Sequence, residues 1–312
     1  MNIVVVIVTY NRLEKLKKTL DSYEVQADFI NSLVVVNNFS NDGTTDFLKG
    51  WRMRKSIFQK YVINLENNQG GSGGFYMGEK FAMSLNPDWI YVADDDAYAM
   101  PNMMKSFIDY VSVNDVSKVS AICGTVYEIN NSVSLEHRSR ITYRYGFIYT
   151  KENVPLIEYN NSFELDALSY VCSFIKADAI KKIGYCIPEF FIYFDDTEHS
   201  LRLKKEGKII CVPSIGIHHD GGGTQIKKDD GILLDWRKYY SLRNQIYTLL
   251  HHNPISAFYE VLFEGQHLLR HYGKSKACRK MIITAIKDGI CGNLGKHVLY
   301  KPGFSIKRNE SK

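Results

Sequence analysis

The chain has 312 residues, of which 45% are hydrophobic and 23% are charged, and this suits one large globular domain with an appendage. Its formal net charge of +5 is too small to require nucleic acid, so no nucleic-acid partner is predicted, although an anionic ligand or membrane surface is compatible with it. The six cysteines contain no CxxC pair, which argues against a zinc site or disulfide framework, and no apolar run approaches the ~20 residues of a membrane span, so we expect a cytoplasmic protein, soluble or peripheral.

Four apolar runs divide the first hundred residues, at residues 3–8, 33–36, 61–65 and 89–93. After the first run, Leu13, Leu16, Leu20 and Tyr23 share one helical face, and Asn11 is placed to cap that helix. Strands that alternate with helices predict a doubly wound, mostly parallel sheet, whose ligands bind beyond the carboxyl ends of the strands. A functional site is therefore expected at that edge.

The second half of the chain has a different pattern. Beyond residue 165 it is predicted to be mixed α and β, and from Tyr239 onward mainly helical. We place a boundary at 225/226, which separates a main domain from a helical region of residues 226–312. In that region Asn253 and Pro254 open a helix that ends at Gly273, and a basic tail follows it. The apolar stripe of this helix consists of Ile255, Phe258, Tyr259, Leu262, Phe263 and Leu269.

Asp94, Asp95 and Asp96 directly follow the fourth strand. Three adjacent carboxylates repel one another unless a cation neutralises them. In an extended segment Asp94 and Asp96 share a face, so these two are expected to hold a hard metal cation while Asp95 points elsewhere, toward a ribose hydroxyl. His218 and His219 precede a glycine run, so an imidazole is a candidate third ligand. The alternatives are a solvated acidic turn and structural histidines.

The residues Gly-Gly-Ser-Gly-Gly at 70–74 follow the third strand. Such a run lets the backbone approach a ligand closely, or merely permits a tight turn between a strand and a helix. It has neither the Lys-Ser/Thr ending of a P-loop nor the dinucleotide-binding fingerprint. On this motif alone, the two interpretations stay open.

A second acidic cluster, Asp195, Asp196 and Glu198, follows the aromatic and apolar residues 190–194. Burial and a like-charged neighbour raise a carboxyl pKa, which suits a base that accepts a hydroxyl proton near neutral pH. Acids also suit the N-terminus of a helix, and the two interpretations are compatible.

Taken together, these segments resemble glycosyltransferase family two, whose members are inverting enzymes with the GT-A fold. The resemblance covers residues 3 to about 295. The motifs that carry it are residues 8–12, 40–44, 70–74, 94–96, 194–198 with Leu201 and Arg202, and 219–222. It implies an α/β, Rossmann-type, mostly parallel sheet in residues 1–225, with a nucleotide-sugar half of about 1–100 and an acceptor half of about 101–225.

The resemblance also implies roles for single residues. Asp94 and Asp96 would form the DxD motif that binds Mn²⁺ or Mg²⁺, and His219 would complete that site. Asp196 would be the catalytic base with Asp195 beside it, and Asp195, Glu198 and Tyr193 would contact the acceptor. The donor would be bound by Thr9, Asn11, Arg12, Asn38, Asp42, Asn68, Gly71, Gly73, Gly74, Asp94 and Asp95. In one departure, Asn37 stands where the family usually has an aspartate.

Residues 68–75, residues 190–192 and the aromatic segment 235–240 resemble the bacterial galactofuranosyltransferases in particular. Rhamnosyltransferases share much of this pattern. The resemblance therefore implies UDP-galactofuranose as donor, with dTDP-rhamnose as the alternative, and a lipid-linked saccharide of O-antigen or capsule synthesis as acceptor.

The amphipathic helix and the basic tail predict contact with the inner face of the cytoplasmic membrane, unless the helix packs on the catalytic domain. A homo-oligomer stays open. The alternatives of another class are a metal-dependent phosphohydrolase and a non-catalytic sugar-binding protein.

Overall fold

The computed structural model describes residues 1–221 and 232–307. The predicted boundary at 225/226, and Gly222 of the last motif, lie outside the described residues. The strands are β1 Ile3–Thr9, β2 Ser32–Asn37, β3 Gln59–Asn64, β4 Trp89–Asp94, β5 Ala97–Ala99, β6 Val119–Glu128, β7 Arg138–Arg144, β8 Ile148–Asn153, β9 Phe163–Leu165, β10 Ala167–Leu168, β11 Ser173–Lys176, β12 Lys208–His219, β13 Ile232–Asp235 and β14 Ser305–Lys307. The helices are α1 Leu13–Glu24, α2 Thr44–Met53, α3 Gly70–Met83, α4 Met103–Val113, α5 Ala177–Ile183, α6 Asp195–Glu206, α7 Trp236–His252, α8 Pro254–Tyr259, α9 Gly265–Tyr272 and α10 Lys276–Cys291. A π-helical segment, Glu260–Glu264, joins α8 to α9.

The main sheet has the strand order β3-β2-β1-β4-β11-β6-β12-β5, and β9 pairs with β12 beside it. Strands β3, β2, β1 and β4 are parallel to one another. Strand β11 is antiparallel to both β4 and β6, and β5 is antiparallel to β12. The predicted mostly parallel, Rossmann-type sheet is confirmed, and β11 marks where the second half of the sheet joins the first.

Strand β1 is buried along its whole length. Its side chains alternate between the two faces of the sheet, so Val5 and Ile7 pack with α1 while Val4 and Val6 pack beneath α3. A strand with helices on both faces needs apolar residues at every position, and this explains the continuous β-branched run.

The glycine-rich segment forms the N-terminal turns of α3 rather than a loop. A Cβ at Gly74 would lie 2.4 Å from Val8 Cγ1, so this glycine lets α3 lie directly on β1. Gly70 has φ +75°, and a Cβ there would lie 1.9 Å from the carbonyl oxygen of Phe191. Close packing within the protein therefore accounts for both residues.

Replacing Gly74 with alanine is expected to lower the free energy of unfolding by roughly 1–3 kcal/mol, because the new methyl group overpacks the contact with Val8. Gly71→Ala is the matched control, since nothing lies within 4 Å of a Cβ at Gly71 and alanine favours a helix over glycine. Urea unfolding of both variants measures the difference. An equal loss of stability in the two variants would contradict the packing explanation.

The C-terminal region packs around a third apolar cluster, which includes Tyr240 of α7, Met281 of α10 and Phe191 from the loop before α6. The helix predicted over residues 254–273 is present as α8, the π-helical segment and α9. It begins as predicted, because the side chain of Asn253 accepts a hydrogen bond from a backbone amide of the first turn at 3.1 Å. Within residues 1–221 and 232–307, no helix is long and apolar enough to cross a membrane.

Candidate active site

The carboxyl end of β4 lies between two other predicted motifs. Asp94 pairs in register with Val8 of β1, so the residues that follow β1 start beside it. On the other side, His219 at the end of β12 pairs with Ala97 of β5, directly after the aspartates. Strand pairing therefore holds His219 next to the acidic triple, and the predicted motifs meet at one edge of the sheet.

Asp94, Asp96 and His219 each offer one ligand atom, and these atoms lie within 4.8 Å of one another. His219 Nε2 is 3.3 Å from Asp96 Oδ1. Asp96 is 1% exposed, and apart from this ion-pair contact with His219 its buried Oδ1 makes no hydrogen bond in the described part of the chain. A buried carboxylate oxygen with unused lone pairs is costly unless a cation or ligand completes it. Two carboxylates and an imidazole fit a divalent cation of the Mn²⁺ or Mg²⁺ type.

Two basic side chains neutralise part of the acidic triple. Arg12 donates to Asp95 Oδ1 at 3.2 Å and to Asp96 Oδ2 at 2.8 Å. Lys15 Nζ lies 3.5 Å from Asp96 Oδ2 and also donates to the backbone carbonyl of Asp220. Sequence reasoning placed Arg12 on the nucleotide and missed Lys15. Its spacing of three residues from Arg12, which puts both on one helical face, was the available signal.

The three carboxyl groups titrate differently because their surroundings differ. Burial, reinforced by the charge of Asp96, raises the pKa of Asp94 to about 7. Burial also raises the pKa of Asp95 to about 6, although Arg12 opposes the shift. At Asp96 burial is outweighed by His219 and Arg12, which lower its pKa. Asp94 is thus the carboxyl group that most needs an added cation to ionise fully.

Asn11 and Asp42, both predicted to bind the donor, connect the loops after β1 and β2. Asn11 Oδ1 accepts from the backbone amide of Asn41 at 2.8 Å, so the prediction that Asn11 caps α1 is wrong. Asp42 does so instead, since its Oδ2 accepts from the Leu13 amide at 2.9 Å and its Oδ1 from the Thr44 amide at 3.2 Å. One carboxylate therefore caps α1 and α2 together.

Asn38 and Asn68 form a second link, at the start of α3. Asn38 is 2% exposed. Its Nδ2 donates to the Gly70 carbonyl at 2.8 Å, and its Oδ1 accepts from the Gln69 amide at 2.9 Å. Asn68 Oδ1 accepts from the Gly70 amide at 2.8 Å. Both side chains orient the first turn of α3.

The remaining residues predicted to bind the donor differ in their access to a ligand. Thr9 is 1% exposed and its hydroxyl lies beside Asp95. A Cβ at Gly73 would meet Gln69 Cβ at 2.5 Å, whereas a Cβ at Gly71 would meet nothing within 4 Å. Of the three predicted glycines, Gly71 is the one whose backbone faces open space.

The second acidic cluster begins α6, as one of the two interpretations predicted. Burial and the charge of Asp196 raise the pKa of Asp195 to about 7. The charge of Asp94 contributes to the same shift, so the two acidic clusters lie within electrostatic reach of each other. Asp196 is half-buried, and its Oδ1 accepts from the Thr197 amide at 2.6 Å. Its Oδ2 has no hydrogen bond to any described residue.

The loop before α6 has a strained backbone that sequence reasoning missed. Phe191, Tyr193 and Phe194 have φ angles of 66°, 67° and 67°, and such a conformation costs about 1–3 kcal/mol for a large side chain. The buried Asn244 of α7 donates its Nδ2 to three carbonyl oxygens of this loop, at 2.8 to 3.0 Å. Helix α7 thereby holds the turn that presents the second acidic cluster, and Tyr193 stays 40% exposed on it.

Glu198, predicted to contact the acceptor, lies in an internal ion pair. Its side chain is 6% exposed, and Arg202 donates to its two oxygens at 2.9 and 2.7 Å. His252 Nε2 lies 3.2 Å from Oε1. Although burial opposes ionisation, His252 and Arg202 lower the pKa of Glu198 to about 2. Glu198 therefore ties α6 to the end of α7, and its predicted contact with the acceptor stays a prediction.

Replacing Glu198 with glutamine is expected to lower the free energy of unfolding at neutral pH by roughly 3 kcal/mol. The folded pKa lies below the unfolded value of about 4.3, so this contribution is fully present above that pH and is lost as the pH falls toward 2. Thermal unfolding from pH 7 downward should show a flatter pH dependence in the variant. Glu158→Gln is the matched control, because the Glu158–Arg140 pair is 30% and 38% exposed and exposed pairs contribute at most about 1 kcal/mol. An equal loss in the free energy of unfolding of both variants would contradict the stabilising role of the buried Glu198 ion pair.

Comparison with known proteins gives a consistent result. The family model described as Glycosyl transferase family 2 matches residues 4–184. The galactofuranosyltransferase GlfT1 of Mycolicibacterium smegmatis is 24% identical over 266 residues, which cover 78% of this chain and 82% of that protein.

Two solved structures share the fold at low sequence identity. The structure of GalNAc-T7 with UDP, GalNAc and Mn²⁺ has a TM-score of 0.60 at 13% identity and covers 93% of this chain, which spans 56% of that one. The structure of S. aureus TarS 1-349 with UDP-GlcNAc has a TM-score of 0.57 at 14% identity and covers 93% of this chain and 81% of that one.

Proposed function

Since the chain belongs to glycosyl transferase family 2 and is a glycosyltransferase, we propose that it moves galactofuranose from UDP-galactofuranose to a saccharide hydroxyl, with inversion and with the help of a divalent cation. The name of the GlfT1 relative supports the sugar, and the UDP-containing neighbours support the nucleotide. One observation carries the proposal: two aspartates and a histidine bring their ligand atoms together at the carboxyl edge of a mostly parallel sheet.

Asp94, Asp96 and His219 are the residues that would hold Mn²⁺ or Mg²⁺. When bound, such a cation neutralises charge that develops on a diphosphate leaving group. Arg12 and Lys15 act on the same charge from the protein side, since both already lie against Asp96. The site therefore offers positive charge where a departing UDP becomes more negative.

Asp196 is proposed to be the general base. Its Oδ2, which no described residue hydrogen-bonds, takes the proton of the acceptor hydroxyl, whose oxygen forms a bond to the anomeric carbon while the bond from that carbon to the diphosphate oxygen breaks. Attack from the face opposite the leaving group inverts the anomeric configuration. Asp195 would hold acceptor hydroxyls, because its raised pKa lets the protonated carboxyl donate as well as accept near neutral pH.

Asp95 is proposed to bind the ribose and the exposed backbone of Gly71 to face the donor sugar. Thr9, Asn11, Asn38, Asp42 and Asn68 would shape the pocket through the loops that they connect. Tyr193, exposed beside the second acidic cluster, is placed for the acceptor. We further infer a lipid-linked acceptor of bacterial surface polysaccharide synthesis, used at the inner face of the cytoplasmic membrane.

Nucleotide release from a panel of sugar nucleotides tests this proposal. UDP-galactofuranose should be hydrolysed fastest, in the presence of Mn²⁺ or Mg²⁺, and EDTA should suppress the reaction. Preferential hydrolysis of dTDP-rhamnose would replace the donor and keep the reaction class. Release of phosphate from simple phosphate esters, without hydrolysis of any sugar nucleotide, would contradict the proposal.

A further inference from the structure

The helical segment after α7 and the turn between β7 and β8 expose large apolar side chains. Ile255, Phe258, Leu262 and Phe263 are 60%, 67%, 46% and 54% exposed. They belong to the stripe predicted to lie either on a membrane or on the catalytic domain, and the described part of the chain leaves these four side chains largely exposed. In the turn, Tyr145 and Phe147 are 72% and 49% exposed.

The hairpin turn and the helix are fastened to each other. Ser256 of α8 is 2% exposed, and its hydroxyl donates to the Phe147 carbonyl at 3.2 Å and accepts from the Tyr149 amide at 2.7 Å. Asn253 Nδ2 also donates to the Phe147 carbonyl, at 3.3 Å. These bonds hold the turn against the start of α8, and the exposed apolar side chains of the two segments are here named the apolar face: Tyr145, Phe147, Ile255, Phe258, Leu262 and Phe263. Large exposed apolar side chains on joined segments of this kind mark a candidate interaction site.

Positive charge adjoins the apolar face along the chain, and this favours an anionic lipid surface over a protein partner. Arg144 lies in the hairpin with its guanidinium 5.3 Å from the Tyr145 ring centre. From residue 265 to residue 307, Asp288 is the sole acid of the sequence. The cations of that stretch are Arg270, Lys274, Lys276, Arg279, Lys280, Lys287, Lys296, Lys301 and Lys307. A symmetric contact through this helical segment would bring the basic stretch that follows it toward its own copy, whereas an anionic leaflet attracts that stretch.

Glu260 and Glu264 lie on the same helical segment, and their negative charge makes binding to an anionic lipid surface less favourable. Burial and the charge of Glu264 raise the pKa of Glu260 to about 7, which reduces that cost near neutral pH. Aromatic side chains suit the lipid–water boundary because their rings are apolar and, in tyrosine, one end is polar.

The other end of the hairpin reaches the proposed active site. Lys151 of β8 donates its Nζ to the Thr197 hydroxyl at 3.1 Å, and that hydroxyl lies 3.2 Å from Asp196 Oδ1. Lys151 lies four residue steps along the extended chain from Phe147, a distance of about 13 Å. A single β-strand thus connects the apolar face to the proposed base.

We propose that the apolar face docks on an anionic lipid surface and that β8 thereby sets Asp196 at a short, fixed height above the lipid headgroups. The docking is inferred from the exposed apolar residues and the basic stretch. The presentation of a lipid-anchored acceptor to Asp196 rests on the proposed function.

Vesicle flotation of the full chain tests the docking. The variant Tyr145→Ser, Phe258→Ser, Phe263→Ser removes three members of the face, and none of these residues belongs to the proposed site. Its matched control is Val25→Ser, Met53→Ser, Val113→Ser, whose side chains are 83%, 85% and 81% exposed elsewhere on the surface. Wild type and control should bind vesicles of phosphatidylglycerol and phosphatidylethanolamine more tightly than phosphatidylcholine vesicles. The face variant should bind them at least about tenfold more weakly.

Measurements of sugar-nucleotide hydrolysis and of oligomeric mass separate lipid docking from the proposed function and from self-association. Hydrolysis of the sugar nucleotide in solution should be the same in wild type, face variant and control, because it needs no lipid. If wild type floats but hydrolyses no sugar nucleotide, the docking stands and the proposed function fails. Equal flotation of wild type and face variant would overturn the docking. So would a lower oligomeric mass of the face variant in light scattering, because the face would then bind a second copy of the chain.

Discussion

Replacing Asp196 with asparagine is expected to slow sugar transfer by about 10²–10⁴-fold, the usual contribution of a general base. Asparagine keeps the size of the side chain but cannot take the proton of the acceptor hydroxyl. The start of α6 should be preserved, because the amide oxygen can still accept from the Thr197 amide. UDP affinity should stay near the wild-type value, since the donor is proposed to bind at the other acidic cluster. Initial transfer rates and calorimetric UDP titrations measure the two effects separately.

Asp178→Asn is the matched control for this variant. Asp178 also lies in the first turn of a helix, α5, but its side chain is 71% exposed on the surface, so transfer should be unchanged. Asp195→Asn asks which member of the pair takes the proton. If Asp196→Asn transfers sugar as fast as the parent, or if the loss is confined to Asp195→Asn, the assignment of Asp196 as base is wrong.

The first half of the sheet was predictable because its signals are local. A continuous run such as residues 3–8 suits only a strand covered on both faces, and helical spacing after it predicts α1. The glycine segment 70–74 was less predictable, since glycine is a poor helix former. Contacts with Val8 and Phe191 require glycine there, and these contacts join parts of the chain that no local pattern connects.

The predicted and the missed residues of the candidate site also differ in whether their sequence signal is local. Asp94, Asp96 and His219 are found from sequence because each directly follows or ends a strand. These side chains come together because β12 pairs with β5, and the paired residues His219 and Ala97 are more than a hundred positions apart in the chain. Asn244 could not be predicted, because a single asparagine within a helix has no pattern of its own in the sequence. Its role depends on the loop carbonyl oxygens that it contacts in the fold. The ion pair of Glu198 with Arg202 was likewise not predicted.

Replacing Asp96 with alanine is expected to remove the dependence of UDP binding on a divalent cation. The substitution deletes the buried Oδ1 that faces His219 and so leaves one carboxylate and one imidazole. Loss of a supporting partner of a metal ligand typically costs about 10–100-fold in metal affinity, and loss of a ligand itself should cost at least as much. UDP affinity with Mn²⁺ should therefore fall by at least about tenfold.

Without metal, the affinity of the Asp96→Ala variant for UDP should not fall. Arg12 and Lys15 both lose a partner when Asp96 is removed, so their charge becomes available to the diphosphate. In EDTA the variant should bind UDP as tightly as wild type or more tightly, and the ratio of dissociation constants with and without Mn²⁺ should approach one. Asp46→Ala, an acid that is 84% exposed, should keep the wild-type ratio. A variant that lost affinity equally with Mn²⁺ and with EDTA would show that Asp96 shapes the pocket without holding a cation. The mechanism would then depend on Arg12 and Lys15 alone.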